Sequence, residues 1–363
     1  NGGFRKIVVL TQYLSDSLNR HISLTWRMST LLGYYVTSVP AQQRHGDRWF
    51  LGSADAIFQN LNLVNDEHPS HVFVFGADHI YRMDPVQMLD QHIETGAGVT
   101  VAAIRRPFAE APDLGVIEKE ADTRIKAFLE KPAKSEPLVD DPNSILASMG
   151  NYVFETEYLK ELVTEDESRE DSNHDIGGNL IPRSVELGRA HVYDFAGNEV
   201  PGSYGRDLGY WRDVGSVDSY HEAHLDLVEP EPAFNLYNDQ WPIYTASATA
   251  PPAKVVAEQG VSGEIVDSIL CNGVIVSGAS LTRSIISPGV RLDGGASISE
   301  SMILDGVKVG SESVIHRAII DKNVVIPPRT QIGVDPERDR ERFHVSPGGV
   351  VVIGKGDKIT EPV

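Results

Sequence analysis

Apolar runs alternate with amphipathic segments between residues 6 and 225. Short apolar runs predict strands, and apolar residues at every third or fourth position predict helices. The predicted strands cover residues 6–11, 72–75, 99–104, 115–118, 124–128 and 149–154. The run at 72–75 is apolar throughout, so we expect a fully buried strand there.

Predicted helices fill several of the gaps between these strands. One begins behind Gly52 with Ser53 as its N-cap, and another begins with Asp84 as a cap before Pro85. A third covers residues 155–163. This order predicts an α/β domain with a mixed, mostly parallel sheet and a short antiparallel insertion.

The pattern changes after residue 228. Residues 229–254 read as a linker, because prolines interrupt any regular element at positions 230, 232, 242, 251 and 252. Beyond it, four segments repeat at intervals of 16 or 17 residues: SILCNGVIV (268–276), SIISPGVRL (284–292), SMILDGVKV (301–309) and AIIDKNVVI (318–326).

The repeats predict a β-helix over residues 255–363. Apolar positions recur every five or six residues, at Val276, Leu281, Ile286, Leu292 and Ile298, which is the spacing of a triangular prism of parallel coils. An ordinary antiparallel sheet is the alternative, and the constant register over four repeats disfavours it. Hexapeptide acyltransferases share such coils but usually need more of them and an exposed histidine. Here His316 lies beside the inward Ile315.

Composition limits the possible partners and the compartment. A net charge of −20 over 363 residues disfavours nucleic acids and anionic membranes. No apolar run reaches the length that spans a bilayer. The one cysteine, Cys271, leaves no internal disulfide and indicates a reducing compartment, so we expect a cytoplasmic protein.

Two aspartates are candidate metal ligands. Asp78 follows the carboxyl end of the predicted strand 72–75, where open α/β sheets bind ligands. Asp213 lies in YWRDVG (210–215). Two such carboxylates suit a magnesium-assisted phosphoryl or nucleotidyl transfer. As alternatives, Asp78 caps a turn, and Asp213 caps a helix or pairs with Arg212.

Two further stretches suit phosphate and sugar binding. FLEKP (128–132) places Glu130 and Lys131 at a strand end, where lysine suits one phosphate group and glutamate suits sugar hydroxyls. GSADA (52–56) offers small residues before a helix, where the backbone can approach a base or phosphate. Solvated loop charges and simple helix initiation are the alternatives. No zinc spacing and no Ser-His-Asp arrangement is suggested.

Taken together, these stretches resemble bacterial ADP-glucose pyrophosphorylase, also called glucose-1-phosphate adenylyltransferase. The resemblance runs over nearly the whole chain and rests on VLTQY (9–13), PAQQR with RWFLGSADA (40–56), GADHIYRMD (76–84), FLEKP, SMGNYVF (148–154), HDIGGNLIP (174–182), YWRDVG and the C-terminal repeats. It implies a Rossmann-like nucleotidyltransferase domain over residues 1–228, followed by a left-handed parallel β-helix.

The resemblance implies that ATP and glucose 1-phosphate react to give ADP-glucose and pyrophosphate, the regulated first step of glycogen synthesis. It further implies the role of each matching residue. Asp78 and Asp213 would hold Mg²⁺, and Lys131 would bind the sugar phosphate. The glucose pocket would contain Gly115, Glu130, Ser148, Trp211 and Asp213, and the nucleotide side would contain Gln12, Trp49, Phe50, Gly52 and Ser53.

This chain departs from the family pattern at three places, and the resemblance also implies an oligomeric state and regulation. The family's first strand and glycine-rich phosphate loop would precede residue 1, so we expect that an N-terminal piece is missing from this chain. Asn179 replaces a common aspartate and Phe50 a common tyrosine, which we expect to be tolerated. Family members are homotetramers controlled by anionic effectors such as sugar phosphates, AMP or phosphate. Arg317 and Arg342 are our candidates for an effector site, whereas Arg338 and Arg340 read as solvated charges.

Two other functions stay open at this stage. The chain could act on another sugar 1-phosphate or nucleotide, or it could be a non-catalytic regulatory subunit. Retention of Asp78, Lys131 and Asp213 speaks against the regulatory subunit.

Overall fold

The computed structural model describes residues 1–44, 48–246, 249–258, 260, 262–357 and 359. The chain divides into two compact units. The first consists of Asn1–Ala77, Tyr81–Trp211 and Asn238–Ala246, and the second of Asp78–Ile80, Arg212–Tyr237 and the described residues from 249 onward. Among the described residues, no helix has both the length and the apolar character needed to cross a membrane.

Between residues 1 and 225 the strands are β1 (Lys6–Thr11), β2 (Tyr35–Pro40), β3 (His71–Phe75), β4 (His79–Tyr81), β5 (Val99–Pro107), β6 (Gly115–Lys119), β7 (Ile125–Glu130), β8 (Ser144–Glu155), β9 (Ala190–Asp194) and β10 (Trp211–Asp213). The α-helices over the same stretch are α1 (Asp16–Thr25), α2 (Ser53–Phe58), α3 (Leu61–Glu67), α4 (Pro85–Thr95), α5 (Thr156–Glu167), α6 (Ile181–Glu186) and α7 (Val217–Leu225). A π-helix, Ile176–Leu180, precedes α6.

The main sheet of the first unit is mixed, as expected. Its strand order is β7-β6-β8-β5-β9, with β3 paired to β8. β5 and β9 run parallel, as β1 and β2 do in a separate pair, whereas β8 is antiparallel to β3, β5 and β6. The hairpin of β6 and β7 is the expected antiparallel insertion.

The core of the first unit lies between this sheet and its helices. Val99, Val101 and Phe154 of the central strands are fully buried, and Leu159 of α5 packs in the same cluster. Burial of such side chains contributes roughly 1.5–3 kcal/mol each to folding. The long strand β8 is therefore anchored in this core, which holds the residues of the strand in fixed positions.

One local expectation is confirmed and two are wrong. Asp84 caps α4 as predicted, because its side chain accepts a hydrogen bond from the Val86 N–H at 3.0 Å. The prediction that Ser53 is the N-cap of α2 is wrong, since Gly52 holds that position. The expected full burial of the strand at 72–75 is also wrong. β3 borders β8 at the margin of the sheet, its residues are half-buried, and Phe75 is 37% exposed.

The second unit contains the repeats. Its strands are β11 (Lys254–Val256), β12 (Ile265–Val266), β13 (Ile269–Leu270), β14 (Ile275–Ser277), β15 (Ser280–Thr282), β16 (Ile285–Ile286), β17 (Arg291–Leu292), β18 (Ser297–Ser299), β19 (Met302–Ile303), β20 (Lys308–Val309), β21 (Val314–His316), β22 (Ala318–Ile320), β23 (Val325–Ile326), β24 (Gln331–Ile332), β25 (His344–Val345) and β26 (Val351–Ile353), and α8 (Pro336–Arg342) follows β24.

These strands form the three faces of a prism. Two sheets have the orders β11-β14-β17-β20-β23 and β12-β15-β18-β21-β24, and the third runs β13-β16-β19-β22-β26-β25. Neighbouring strands are parallel apart from β25 and β26. The inward aliphatic positions predicted from the repeats are buried: Val276, Leu281, Ile286, Leu292 and Ile298. The β-helix prediction is confirmed.

One corner of the prism is built the same way in successive coils. Asp267, Arg283, Glu300 and Arg317 all have φ between +45° and +49°, the left-handed conformation that a sharp corner requires. Each of the first three is followed by a serine. The Ser284 hydroxyl accepts from the Ser301 N–H at 3.2 Å, and the Ser301 hydroxyl accepts from the Ala318 N–H at 3.1 Å. Buried serines therefore bond the backbone of one coil to the next.

Helix α7 belongs to the second unit because of its contacts with the prism. Val217 and Tyr220 pack against Met302 and Ile319. The buried His221 ring bonds the Glu300 carbonyl at 2.7 Å.

Candidate active site

The second unit brings Asp78 and Asp213 together. The Val214 N–H donates to the Asp78 carbonyl at 3.1 Å, which fixes the two backbone segments side by side. Gly215 lies between the carboxylates: a methyl group there would be 3.1 Å from Asp213 Oδ1 and 3.7 Å from Asp78 Oδ2. Glycine thus leaves room for both carboxylates at one place.

His79 completes a three-residue cluster that the sequence reasoning missed. One ligand atom each from Asp78, His79 and Asp213 lies within 4.8 Å of the others, and His79 Nε2 is 3.5 Å from Asp78 Oδ1. The Asp78 side chain is 63% exposed and that of His79 is 14% exposed. The only available sequence signal was that His79 directly follows Asp78.

The structural alternatives for Asp213 are not what the structure shows. Ser216 caps α7 with a capping box, so Asp213 is not the cap. Arg212 pairs with Asp226 at 3.0 Å, whereas Asp213 Oδ1 accepts the Gly215 N–H at 2.7 Å. Both carboxylates therefore keep oxygen atoms for a ligand.

The donor set fits a divalent cation. Two carboxylates suit hard cations such as Mg²⁺ and Mn²⁺, and an imidazole nitrogen adds affinity for transition metals. Asp78 and Asp213 would supply the carboxylate ligands, and His79 Nε2 is near enough to act as a third donor.

The first unit brings together three of the residues expected around the sugar. Gly115 and Glu130 face each other across the β6–β7 hairpin. A methyl group at Gly115 would be 3.2 Å from Glu130 Oε2 and 3.7 Å from Ser148 Cβ. Gly115, Glu130 and Ser148 therefore border one small space, in which a larger residue than glycine would crowd the carboxylate.

Lys131 has a strained backbone. Its φ is +45°, although it precedes Pro132 and is not a glycine. Its N–H donates to the Leu114 carbonyl at 3.0 Å, which holds the turn at the end of β7. Strain of this kind in an exposed charged residue clusters at ligand sites and costs roughly 1–3 kcal/mol.

Tyr152 and Asp175 extend this group, and the sequence reasoning assigned a role to neither. Burial is the main cause that raises the pKa of Tyr152 to about 12. The charges of Asp175 and Glu130 raise this pKa further, whereas a hydrogen bond with Ser148 lowers it. A methyl group at Gly177 would be 3.5 Å from both the Tyr152 hydroxyl and Asp175 Oδ1. Polar groups from Glu130 to Asp175 therefore lie around Tyr152. Tyr152 lies in SMGNYVF and Asp175 in HDIGGNLIP, but only the fold brings these two motifs together.

Residues expected on the nucleotide side form a second group in this unit. The Gln12 side chain bonds the backbone of Phe50, accepting from its N–H at 2.7 Å and donating to its carbonyl at 3.4 Å. Trp49 is exposed beside it, so an aromatic face is available for a base. Trp211 instead packs half-buried against a core cluster.

Gly52 and Ser53 link this group to the π-helix. The Ala54 N–H donates to the His174 carbonyl at 2.8 Å, and a methyl group at Gly52 would be only 2.3 Å from that carbonyl oxygen. The Ser53 hydroxyl donates to Asp175 Oδ2 at 2.8 Å. Two segments far apart in sequence therefore meet at this point.

Asn179 is compatible with its position. Its side-chain oxygen accepts the Asp175 N–H at 3.1 Å, which a carboxylate oxygen could do equally. The expected tolerance of asparagine for aspartate has a direct physical reason here.

The two effector candidates are already engaged within the second unit. Arg317 donates to the Gly348 carbonyl at 3.1 Å and faces the Glu300 carboxylate at 3.6 Å. Arg342 lies over the Phe343 ring and lines an open cavity of about 580 Å³ together with Arg340 and His344.

Comparisons with known proteins agree with this architecture. Residues 1–229 match the family model described as Nucleotidyl transferase, and residues 251–353 match the one described as GlmU-like, C-terminal hexapeptide. The chain is 58% identical over 369 residues to a protein of Acidothermus cellulolyticus, covering 100% of this chain and 88% of the relative. It is 54% identical over 365 residues to one of Parafrankia sp., covering 99% and 88%. It is 55% identical over 360 residues to one of Streptomyces coelicolor, covering 99% and 89%. All three relatives are named Glucose-1-phosphate adenylyltransferase.

Proposed function

Because the chain belongs to the glucose-1-phosphate adenylyltransferases, we propose that it makes ADP-glucose and pyrophosphate from ATP and glucose 1-phosphate. The observation that carries this proposal is the match to relatives of that name along the whole chain. We place the reaction at the regulated first step of glycogen synthesis.

The reaction is an in-line displacement. A phosphate oxygen of glucose 1-phosphate attacks the α-phosphorus of ATP, a new P–O bond forms, and the bond to the β-phosphate breaks to release pyrophosphate. Because no side chain needs to form a covalent bond, the residues act by positioning and by stabilising charge.

Each group of residues has a proposed role. Lys131 binds the phosphate of glucose 1-phosphate with a compact positive charge, while the Glu130 carboxylate and Ser148 hydroxyl bind sugar hydroxyls. We assign glucose 1-phosphate binding to Gly115, Glu130, Lys131, Ser148, Trp211 and Asp213, and nucleotide binding to Gln12, Trp49, Phe50, Gly52 and the backbone of Ser53.

Asp78 and Asp213 would hold the divalent cation, which we take to be Mg²⁺. When bound, it would neutralise charge on the phosphate oxygens. Their proximity supports this role.

Assembly and regulation complete the proposal. We propose a cytoplasmic homotetramer with a catalytic domain over residues 1–228, a linker over 229–254 and a β-helix domain over 255–363. Anionic effectors such as sugar phosphates, AMP or phosphate would act on it. Arg317 and Arg342 are the effector candidates. Arg342 lines an open cavity together with Arg340, although Glu341 and Asp357 line it too, and an anion at Arg317 would have to compete with Glu300.

The test is pyrophosphate release from a panel of nucleotides and sugar 1-phosphates with the full-length protein and Mg²⁺. ATP with glucose 1-phosphate should be the best pair, and a clear preference for another sugar 1-phosphate or nucleotide would refute the substrate assignment.

Lys131→Ala gives a second test. It should raise KM for glucose 1-phosphate roughly 10–100-fold and KM for ATP much less, because a hydrogen bond to a charged group contributes about 1.5–3 kcal/mol. Lys134→Ala, an exposed lysine three residues away, is the matched control and should change neither KM. A larger effect on ATP would contradict the role of Lys131.

A further inference from the structure

The Ser53 hydroxyl is used by another part of the first unit and not by its own helix. Ser53 is the first residue of α2, whose N-cap is Gly52, and its side chain makes no capping bond there. Instead the hydroxyl donates to Asp175 Oδ2 at 2.8 Å and accepts the Ile176 N–H at 2.9 Å. One side chain thus joins the start of α2 to the start of the π-helix.

These bonds fix the direction of the Asp175 carboxylate. Its second oxygen, Oδ1, accepts the Gly178 N–H at 2.7 Å. With one hydrogen bond to each oxygen, the carboxylate plane cannot rotate freely. A carboxylate has about four lone-pair sites, so two remain for further donors.

The Asp175 carboxylate adjoins the polar groups around Tyr152. Asp175 Oδ1 and the Tyr152 hydroxyl both approach Gly177, and Tyr152 is next to Ser148. A carboxylate held at this place suits a polyol, because hydroxyl groups donate to its free lone pairs. The backbone of the π-helix supports it, and π-helical turns are frequent at functional sites.

From this geometry we infer that Ser53 is a positioning residue for sugar binding: it orients Asp175 toward hydroxyl groups of the sugar phosphate, and its side chain is not a nucleotide contact. The inference rests on the proposed function. It would also link the segment 49–53 to sugar binding, since Ser53 belongs to that segment and bonds Asp175.

Steady-state kinetics of the full chain test this role. Ser53→Ala should raise KM for glucose 1-phosphate about tenfold and leave KM for ATP within about twofold, since the lost bond involves a charged group. Ser53→Thr keeps the hydroxyl and should restore most of the affinity. Ser17→Ala, an exposed serine of α1, is the control and should behave as wild type.

A double-mutant cycle with Asp175→Asn separates positioning from a general structural defect. If Ser53 acts through Asp175, Ser53→Ala should add little to the KM for glucose 1-phosphate in the Asp175→Asn background. Calorimetric titration of each variant with glucose 1-phosphate provides a readout that does not depend on turnover.

The outcomes are distinguishable. A rise mainly in KM for ATP would overturn the inference and make Ser53 a nucleotide contact. Additive effects in the cycle, or a Ser53→Thr protein as impaired as Ser53→Ala, would also overturn it. Wild-type protein that releases no pyrophosphate from ATP and glucose 1-phosphate would instead refute the proposed function.

Discussion

Gly52→Ala tests how closely the start of α2 approaches the segment before the π-helix. The φ and ψ of Gly52 are −166° and −175°, an extended conformation open to any residue, so backbone strain plays no part. The added methyl group would lie 2.3 Å from the His174 carbonyl oxygen, 2.6 Å from the Asn173 carbonyl oxygen and 2.7 Å from the His174 carbonyl carbon. All three are backbone atoms, which cannot rotate away as a side chain can.

The magnitude follows from two terms. Overpacking costs about 1–3 kcal/mol, and separating the segments would break the hydrogen bond from the Ala54 N–H to the His174 carbonyl, which contributes about 0.5–1.5 kcal/mol. We expect a loss of about 2–4 kcal/mol in the free energy of unfolding. For a domain of this size the midpoint temperature should fall by about 5–15 °C.

Differential scanning calorimetry of the full chain measures the effect. Gly197→Ala is the matched control, because a methyl group there has no neighbour within 4 Å and the residue is exposed. It should shift the midpoint by less than about 2 °C. A Gly52→Ala protein that melts with the control would show that the two segments do not approach as described.

Three further predictions concern the cation site, the prism and pH. Asp78→Asn should lower turnover by about 100-fold or more and should weaken Mn²⁺ binding, measured by electron paramagnetic resonance. Because Asp78 is exposed, the melting temperature should not change. Near-full activity of this variant would contradict the role of Asp78 as a metal ligand. Ser301→Ala should cost about 1–3 kcal/mol of stability in urea unfolding, because the Ala318 N–H loses its acceptor inside the prism. An unchanged midpoint would show that the buried serines do not bond one coil to the next. Burial lowers the pKa of His92 to about 4 from 6.5, so the unfolded chain binds more protons between these pH values and stability falls as pH drops through this window. Between pH 7 and pH 5 the wild-type protein should therefore lose about 2 kcal/mol more stability than the His92→Gln protein. An identical pH dependence of unfolding in the two proteins would refute this.

Regular patterns in the sequence predicted the fold well. The prism followed from apolar spacing alone, because residues such as Leu281 and Ile298 face inward in every coil. Asp84 was recognisable as a cap because capping is a local property of the chain. Local signals failed where a distant partner decides the outcome. Ser53 looks like a helix cap in sequence, but Asp175 binds its hydroxyl.

The candidate site was only partly accessible to sequence reasoning. Residue types pointed to Asp78 and Asp213, but their proximity depends on the backbone bond from Val214 to Asp78. Tyr152 carried no signal of its own, since a tyrosine in a strand usually reads as core. Its relation to Asp175 depends on how β8 and the π-helix pack, which no local pattern encodes.

The antiparallel strand β25 has a consequence for how the prism could be extended. The outermost coil of a parallel stack exposes unpaired backbone groups, with which the strands of a further coil could pair. β25 runs antiparallel to β26 and covers its edge, and α8 follows β24, so the coil that contains β26 differs from the earlier ones. A coil duplicated between existing coils would keep parallel neighbours on every face, whereas a coil placed beyond β25 would meet a strand of the opposite direction on this face. On this face, duplication of a coil is therefore accommodated within the stack rather than beyond β25.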